Sequence, residues 1–254
     1  MKDIRLEDIS TRAEKEFDKI KTKEETKEIK FKIDELQNIL YAESKHALLV
    51  VIQGMDGSGK DGVVRNVFGG LNPQGVLVKS FKTPSPDELA HDFLWRVNQH
   101  APAKGMIQIF NRSHYEDILV TRVHGSCDEK TAKYRMKAIN DWEELLKKDN
   151  NTSILKFYLH VSAKEQLGRL EERAKDPTKM WKYNAGDFAE AELRDKYIKV
   201  YEDCFANCSD IPWTIVPSDQ NWFKENIIAK KVLKTLKDMD LKYPGLKEIN
   251  HNNT

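Results

Sequence analysis

Short runs of apolar residues alternate along this chain with longer segments in which apolar residues recur at helical spacing. The run 47–53 (ALLVVIQ) is apolar over nearly its whole length, which is typical of a strand buried on both faces of a parallel sheet. Similar short runs predict four further strands at 76–81, 106–110, 154–161 and 213–216. A helix is predicted after each strand, so the pattern indicates one α/β domain with a parallel five-stranded sheet and helices on both faces.

The two ends of the chain differ from this alternating part. Residues 1–44 are highly charged and carry apolar residues at roughly helical spacing, which predicts an N-terminal helical extension that packs on the main domain or on a neighbouring subunit. The main domain is predicted over 45–240 and a polar tail over 241–254. The apolar residues of the extension are Phe31, Ile33, Leu36, Ile39 and Leu40.

Sequence signals for helix starts mark several boundaries. Ser85, Ser126 and Ser162 are each followed three residues later by glutamate, which is the pattern of a capping box. After Ser85 a proline occupies the first helical position, and the helix is predicted to run to about Gln99. The last helix is predicted over about 221–237.

Composition limits the function without naming it. Of 254 residues, 42 are Lys or Arg and 41 are Asp or Glu, so a net charge of +1 provides no overall attraction to nucleic acid or membrane. No apolar run approaches the roughly 20 residues of a membrane span, and the N-terminus lacks a signal-peptide core. The three cysteines have neither zinc-ligand spacing nor an even disulfide count. We therefore expect a cytoplasmic protein without nucleic-acid or membrane partners, in which any anion site is built locally.

The most informative segment is GMDGSGKD, residues 54–61, which we call the phosphate loop. It has the GxxxxGK spacing with which glycines let backbone amides surround phosphoryl oxygens while the lysine reaches the distal phosphate. A predicted strand enters this loop and a predicted helix, 61–68, leaves it, so the helix N-terminus also favours an anion. The expected phosphate-binding positions are Gly54, Gly57, Ser58, Gly59 and Lys60.

Two carboxylates distinguish this loop from a generic one. The position after the lysine normally holds Ser or Thr, but here it holds Asp61, and Asp56 lies within the loop. Carboxylates beside phosphates repel them, so the arrangement predicts a divalent cation between the two, with magnesium as the expected ion. The alternative is a glycine-rich turn in which Asp56 is solvated and Asp61 caps the helix.

A second cluster, FNRSHYED at 110–117, follows the third predicted strand at its carboxyl end, where ligands bind in open parallel sheets. Arg112 could pair with phosphate in bidentate fashion, and either Glu116 or Asp117 could hold magnesium. The alternative is a salt-bridged helix start. His114 is more typical of a packing or capping histidine than of a base.

A third, basic cluster lies between the fourth strand and the next long helix. Its residues precede and follow the helix-breaking pair Asp176-Pro177, so they predict a mobile lid, over about 165–190, that closes on phosphates. The alternative is a solvated charged face, and the same ambiguity applies to Lys79, Lys82 and Arg96. The basic and aromatic residues of the lid are Arg169, Arg173, Lys175, Lys179, Trp181 and Lys182.

Together, GMDGSGKDG, FKTPSPDELAHDFLWR, FNRSHYED and RAKDPTKMWKYNAGDF resemble the polyphosphate kinase 2 family in order and spacing, over about residues 44–232. The resemblance implies a P-loop kinase fold of the thymidylate-kinase type and dependence on Mg²⁺, with Mn²⁺ as a substitute. It also implies reversible phosphoryl transfer from inorganic polyphosphate to adenine or guanine nucleotides, including AMP and ADP. Assembly into homodimers or homotetramers is a further implication.

The resemblance also assigns roles to individual residues. It gives Lys60 and Arg112 to the phosphates, Asp56 to metal and to orienting the acceptor, and Arg173 to the lid as its transfer-stabilising arginine. Many members have aspartate where this chain has Asn111, a departure that resembles the subgroup accepting both mono- and diphosphates and shifts the second metal-binding role to Asp117. Further nucleotide or polyphosphate contacts are expected at Asp61, Lys82, Glu116, Arg122, Lys179 and Lys182.

Two other functions remain open at this point. An ATP-dependent nucleoside monophosphate kinase would share the loop and the lid. A nucleotide-binding protein without turnover would share the loop alone, but Asp56 argues against it, because a carboxylate inside the cradle weakens simple anion binding.

Overall fold

The computed structural model describes residues 4–246, so the predicted tail lies partly outside the described residues. Five strands form one sheet, in which every pair of neighbours is parallel and the order is β2-β3-β1-β4-β5. The predicted α/β fold class is therefore confirmed. The strands are β1 (Ala47–Gln53), β2 (Val76–Ser80), β3 (Ile107–Asn111), β4 (Thr152–His160) and β5 (Trp213–Pro217).

Helices cover both faces of this sheet. Alternate residues of β1 show the division: Leu49 and Val51 pack into one hydrophobic cluster, while Leu48, Val50 and Ile52 pack into the other. The helices are α1 (Lys19–Glu43), α2 (Lys60–Val63), α3 (Pro86–Leu89), α4 (Trp95–Asn98), α5 (Glu116–Val123), α6 (Glu129–Asp149), α7 (Ala163–Lys175), α8 (Gly186–Glu192), α9 (Arg194–Asn207) and α10 (Asn221–Asp238).

The carboxyl ends of β1, β3 and β4 meet at one edge of the sheet. Ile52 on β1 lies beside Asn111 on β3, and Gln53 lies beside Tyr158 on β4. The phosphate loop leaves β1 at this edge, and α2 then continues as a π-helical turn over Val64–Phe68. The sheet therefore places the phosphate loop next to the segment that follows β3.

The N-terminal region differs from the predicted extension. The helix is confined to α1, and residues 4–18, which we call the strap, contain only a short 3₁₀ turn at Leu6–Asp8. The buried face of α1 includes Ile29, Ile33 and Leu40, and the helix packs along α10. Phe31 was expected on this face but is 65% exposed, because a residue two positions from Ile29 and Ile33 lies on the opposite side of a helix.

One predicted helix end and one predicted helix cap need correction. The capping box at Ser85 forms, but its helix ends at Leu89, and beyond it the Asp92 carboxylate accepts from the Leu94 amide at 3.0 Å in a separate turn before α4. At the start of α6 the cap is Asp128, which accepts from the Thr131 amide at 2.7 Å, and Ser126 does not cap it.

Ser162 does cap α7, by accepting from the Glu165 amide at 3.2 Å. The reciprocal half of the box is absent, since the Ser162 amide donates to Asp219 at 2.8 Å. Among residues 4–246, no helix combines the length and the apolar character of a membrane span.

Candidate active site

The phosphate loop has a backbone that demands glycine at two positions. Gly57 and Gly59 have φ angles of 79° and 92°, in the left-handed region that other residues rarely adopt. At Gly59 a Cβ atom would also lie 2.3 Å from the Lys224 Nζ atom, so the end of this side chain would have to move. These constraints shape the loop as a cradle between β1 and α2.

Lys60 is buried in this cradle. Its Nζ atom donates to the carbonyl oxygens of Gly54 at 2.6 Å and Met55 at 3.2 Å, and it lies 3.9 Å from an Asp56 oxygen. Burial lowers the pKa of Lys60 to about 8, although Asp56 opposes the shift. The lysine is therefore held by neutral carbonyls and one carboxylate, all of which a phosphate oxygen can replace as partners.

Arg112 reaches the loop from the segment after β3. Its φ angle is 61°, unusual for a residue with a side chain, and its amide donates to the Ile52 carbonyl at 3.0 Å. The guanidinium lies 2.5 Å from an Asp56 oxygen. Burial opposes ionisation of Asp56, but Lys60, Arg112 and Arg173 outweigh it and hold the pKa of Asp56 below its ordinary value.

The two acidic residues that follow, Glu116 and Asp117, have different surroundings. Glu116 faces the cradle, where burial raises its pKa while the charges of Arg112 and Lys60 oppose the rise. Asp117 instead pairs with Arg96 at 3.1 Å, and the Arg135 guanidinium donates to the Asp117 carbonyl at 2.5 Å. The metal-binding role expected of Asp117 stays a prediction, and Glu116 is a second candidate for the same role.

Asp61 connects the loop to two other segments. Its carboxylate accepts from Asn111 at 2.8 Å and from Lys182 at 2.6 Å, while the α2 cap position is occupied by Gly59 without a side-chain hydrogen bond. The helix-cap interpretation of Asp61 is therefore wrong. The contact to Lys182 joins the lid to the phosphate loop.

The remaining lid cations also have carboxylate partners. Arg173 lies 2.5 Å from Asp187, and Lys179 lies 2.7 Å from Glu172 and 3.4 Å from Asp176. Burial and the charge of Asp56 raise the pKa of Asp187, so this carboxylate belongs to the site. Sequence reasoning missed Asp187, although an acidic residue directly after Gly186 in a basic segment was a usable signal.

Two expected contacts, at Arg122 and Lys82, are directed elsewhere. Arg122 is held by Asp203 at 2.6 Å and Glu129 at 2.7 Å. Lys82 is exposed, and its carbonyl accepts from Arg96. Arg169, a residue of the predicted lid, donates to backbone carbonyls of the phosphate loop. The nucleotide or polyphosphate contacts expected of Lys82 and Arg122 therefore stay predictions without support from their surroundings.

Comparison with known proteins now identifies the family. The family model for polyphosphate kinase 2 (PPK2) matches residues 16–244. The chain belongs to the PPK2 family. The resemblance inferred from the four sequence motifs is therefore confirmed.

Individual PPK2 relatives agree with this assignment. The chain is 44% identical to the AMP/ADP-polyphosphate phosphotransferase of Meiothermus ruber, over 84% of this chain and 80% of the relative. It is 40% identical to the ADP-polyphosphate phosphotransferase of Rhodopseudomonas palustris, over 84% of this chain and 78% of that protein. The crystal structure of polyphosphate kinase 2 from Arthrobacter aurescens TC1 superposes with a TM-score of 0.93 at 36% identity, covering 98% of this chain and 90% of that one.

Proposed function

We propose that this PPK2 protein transfers a phosphoryl group reversibly between inorganic polyphosphate and AMP or ADP. One observation carries the proposal: the charges of Lys60, Arg112 and Arg173, from three separate segments, all act on Asp56 within the loop. Three convergent cations match a site in which several phosphates meet. The names of the two relatives above support AMP and ADP as acceptors.

Such a transfer needs little covalent assistance from the protein. The terminal phosphate of AMP or ADP is already an anion at neutral pH, so no strong base is required, and positioning and charge neutralisation carry most of the catalysis. Lys60, Arg112 and Arg173 would exchange their present partners for phosphate oxygens. They would then stabilise the charge that spreads over the transferred group.

The residues present also fit a divalent metal, for which we propose Mg²⁺ with Mn²⁺ as a substitute. Within the described part of the chain, no three His, Cys, Asp or Glu side chains form a metal-binding group. Magnesium is usually held by one or two carboxylates together with substrate phosphates, and the carboxylates facing this cradle meet that requirement. Asp56 and Glu116 would hold it, because Arg96 already neutralises Asp117. When bound, the metal would reduce repulsion between donor and acceptor phosphates.

The decisive test is product formation with long-chain polyphosphate and Mg²⁺. ATP formed from ADP, and ADP plus ATP formed from AMP, would support the dual-acceptor reaction, and a control without polyphosphate detects adenylate kinase activity. Product from ADP alone would remove AMP as an acceptor. Absence of product from both, together with ATP-driven phosphorylation of a monophosphate, would replace the proposal with an ordinary nucleotide kinase.

Substitution of Asp56 by Asn distinguishes an enzyme from a nucleotide-binding protein without turnover. If the carboxylate is catalytic, Asp56→Asn lowers turnover by about 100-fold, which is the scale of a principal electrostatic contact. Retained turnover with tighter nucleotide binding would exclude the catalytic role.

The remaining features of the proposal concern the assembly and the cell. We propose a cytoplasmic homodimer or homotetramer without nucleic-acid or membrane partners, on the basis of the family resemblance and the net charge of +1. Light scattering coupled to size-exclusion chromatography distinguishes the monomer from either assembly.

A further inference from the structure

Two basic side chains contact the phosphate loop through its backbone carbonyls. Arg169 on α7 donates from Nη1 to the carbonyls of Gly57 at 3.0 Å and Ser58 at 3.2 Å. Lys224 on α10 is 1% exposed and donates to the same Ser58 carbonyl at 3.1 Å. We call Arg169 and Lys224 the rear pair, because both contact the Ser58 carbonyl, and in a trans peptide the amide that follows a carbonyl points in the opposite direction.

The hydrogen bonds of Arg169 leave no donor for a substrate. Its Nη2 donates to the carbonyls of Ser218 at 2.8 Å and Asp219 at 3.1 Å, and its Nε donates to Glu165 at 2.8 Å. With the two bonds to the phosphate loop, this makes five acceptors for the five N–H groups of a guanidinium. Arg169 therefore acts on the loop and not on phosphate, although it lies in the predicted lid.

The Ser58 carbonyl is the point at which the two cations converge. In a trans peptide the C=O and the following N–H point in opposite directions, so a carbonyl fixed at the rear directs the Gly59 amide toward the front. Hydrogen bonds to the carbonyl also polarise the peptide unit, which strengthens its N–H as a donor, and the bond from the charged Arg169 contributes most to this effect. Phosphate recognition by this amide therefore depends on groups that touch only the carbonyl.

The rear pair is itself anchored by the strap and the start of α7. The Asp219 carboxylate accepts from the Ser162 amide at 2.8 Å and from the Thr11 hydroxyl at 2.9 Å. Arg169 is thus held between the loop before α10 and the phosphate loop. Since Arg173 lies one turn further along α7, the same helix carries a fixed contact to the loop and a lid arginine.

On this basis we propose that Arg169 and Lys224 are positioning residues that hold the peptide unit between Ser58 and Gly59 ready to bind phosphate. The inference rests on the proposed phosphotransferase function for its turnover readout, but not for its binding readout. The two residues touch no substrate, but they determine how well the loop binds one.

The pKa of Lys224 distinguishes a positioning role from a contribution to the stability of the fold. Burial and the neighbouring Arg169 lower the pKa of Lys224 to about 7, which means that the fold disfavours its charged form. A buried lysine under such conditions is a poor stabilising device. Replacement by the uncharged, similarly long methionine should therefore preserve folding while removing the contact to Ser58.

The test compares Lys224→Met with Lys231→Met, an exposed position on the same helix. We expect Lys224→Met to keep or raise Tm, to lower kcat by about 10-fold and to weaken tripolyphosphate binding, measured by calorimetry, by about 5-fold, which is a fraction of the loss from removing a direct donor. The control should stay within about 2-fold of the wild type in both readouts, as is usual for surface substitutions.

Arg169→Lys, with Lys164→Gln on the exposed side of α7 as its control, tests the other member. Lysine keeps the charge but cannot span the phosphate loop and the loop before α10 at once, so we expect a similar loss. A folded Lys224→Met protein with wild-type turnover and wild-type tripolyphosphate binding would overturn the inference. If the wild type lacks polyphosphate-dependent turnover, the proposed function fails, and the binding readout still decides on the rear pair.

Discussion

The front and rear of the phosphate loop use the same kinds of side chain with different partners. At the front, Arg112 and Arg173 are paired with the carboxylates of Asp56 and Asp187. At the rear, Arg169 donates mainly to backbone carbonyls, and Lys224 donates to the Ser58 carbonyl and to the Asn221 side chain. A carboxylate partner can be displaced by an arriving phosphate or neutralised by a metal. For these four residues the type of partner, more than the type of side chain, therefore separates the expected substrate contacts from the positioning contacts. Lys60 differs, because its Nζ atom donates to the carbonyls of Gly54 and Met55 and is still expected to bind phosphate.

The largest expected effect comes from the front, at Lys60. We expect Lys60→Met to lower kcat by about 100-fold or more, because it removes the cation inside the cradle. Its Tm should be unchanged or higher, since burial disfavours the charged lysine. Steady-state kinetics and thermal unfolding measure both quantities. If Lys60→Met lowers kcat no more than Lys224→Met does, the distinction between the front and the rear of the loop is wrong.

The next prediction concerns Glu116 and Asp117, which are adjacent but face different partners. Glu116→Gln should lower turnover by about 30-fold or more and raise the Mg²⁺ concentration needed for half-maximal activity, if Glu116 holds the metal. Asp117→Asn should mainly lower Tm, because the buried Arg96 loses its nearer carboxylate and keeps only Glu88, at 3.8 Å. Magnesium titrations of the two variants decide between them, and a shift confined to Asp117→Asn would restore the role expected from the resemblance.

A smaller effect is expected at the lid. Arg173→Ala should lower kcat by about 10-fold, because the arginine contributes charge stabilisation to a site that keeps Lys60 and Arg112. Asp187→Asn is the matched variant, since it removes the present partner of Arg173 without removing the cation. We expect it to retain turnover within about 3-fold, because the cation that stabilises the transferred group remains although its largely buried partner loses its charge. Equal losses in both variants would instead show that the ion pair itself is required.

The sheet could be predicted from the sequence because its signals are local. The apolar run at 47–53 became β1 with the predicted bounds, since a strand buried on both faces needs apolar residues at every position. The predictions for Phe31 and for the segment after Leu89 were wrong for different reasons. The face of α1 that is buried is the one that packs on α10, and beyond Leu89 the Asp92 carboxylate accepts from the Leu94 amide. Hydrophobic spacing reveals neither contact.

The site could be predicted as a set of segments but not as a set of contacts. The phosphate loop, the segment after β3 and the lid were each marked by residue types at characteristic spacing. The partners of Arg169 and Arg173 could not be deduced, although the two residues lie one turn apart on α7. Side-chain direction at a helix end depends on which elements pack against it. These tertiary contacts cannot be deduced from residue spacing in the sequence.

A prediction about protons follows from the pKa of Lys60, which burial lowers to about 8. A bound polyanion favours the charged lysine and raises this pKa, so binding near pH 8 should take up about half a proton, and affinity should fall as the pH rises above 8. Calorimetry of tripolyphosphate binding in buffers of different ionisation enthalpy measures the uptake. Lys60→Met should remove this share of it, and uptake that is unchanged in Lys60→Met would contradict the assignment.

The smallest effect is expected where the lid meets the loop through Lys182 and Asp61. Their contact is 2.6 Å long, but the Asp61 side chain is 60% exposed, and exposed ion pairs contribute about 0–1 kcal/mol. Lys182→Met should therefore change KM for polyphosphate by about 3-fold or less at low salt, and the difference should shrink in 0.5 M salt because screening weakens exposed pairs. A 10-fold or larger rise in KM that does not depend on salt would instead group Lys182 with the front cations. Lys182 would then act on phosphate and not only on Asp61.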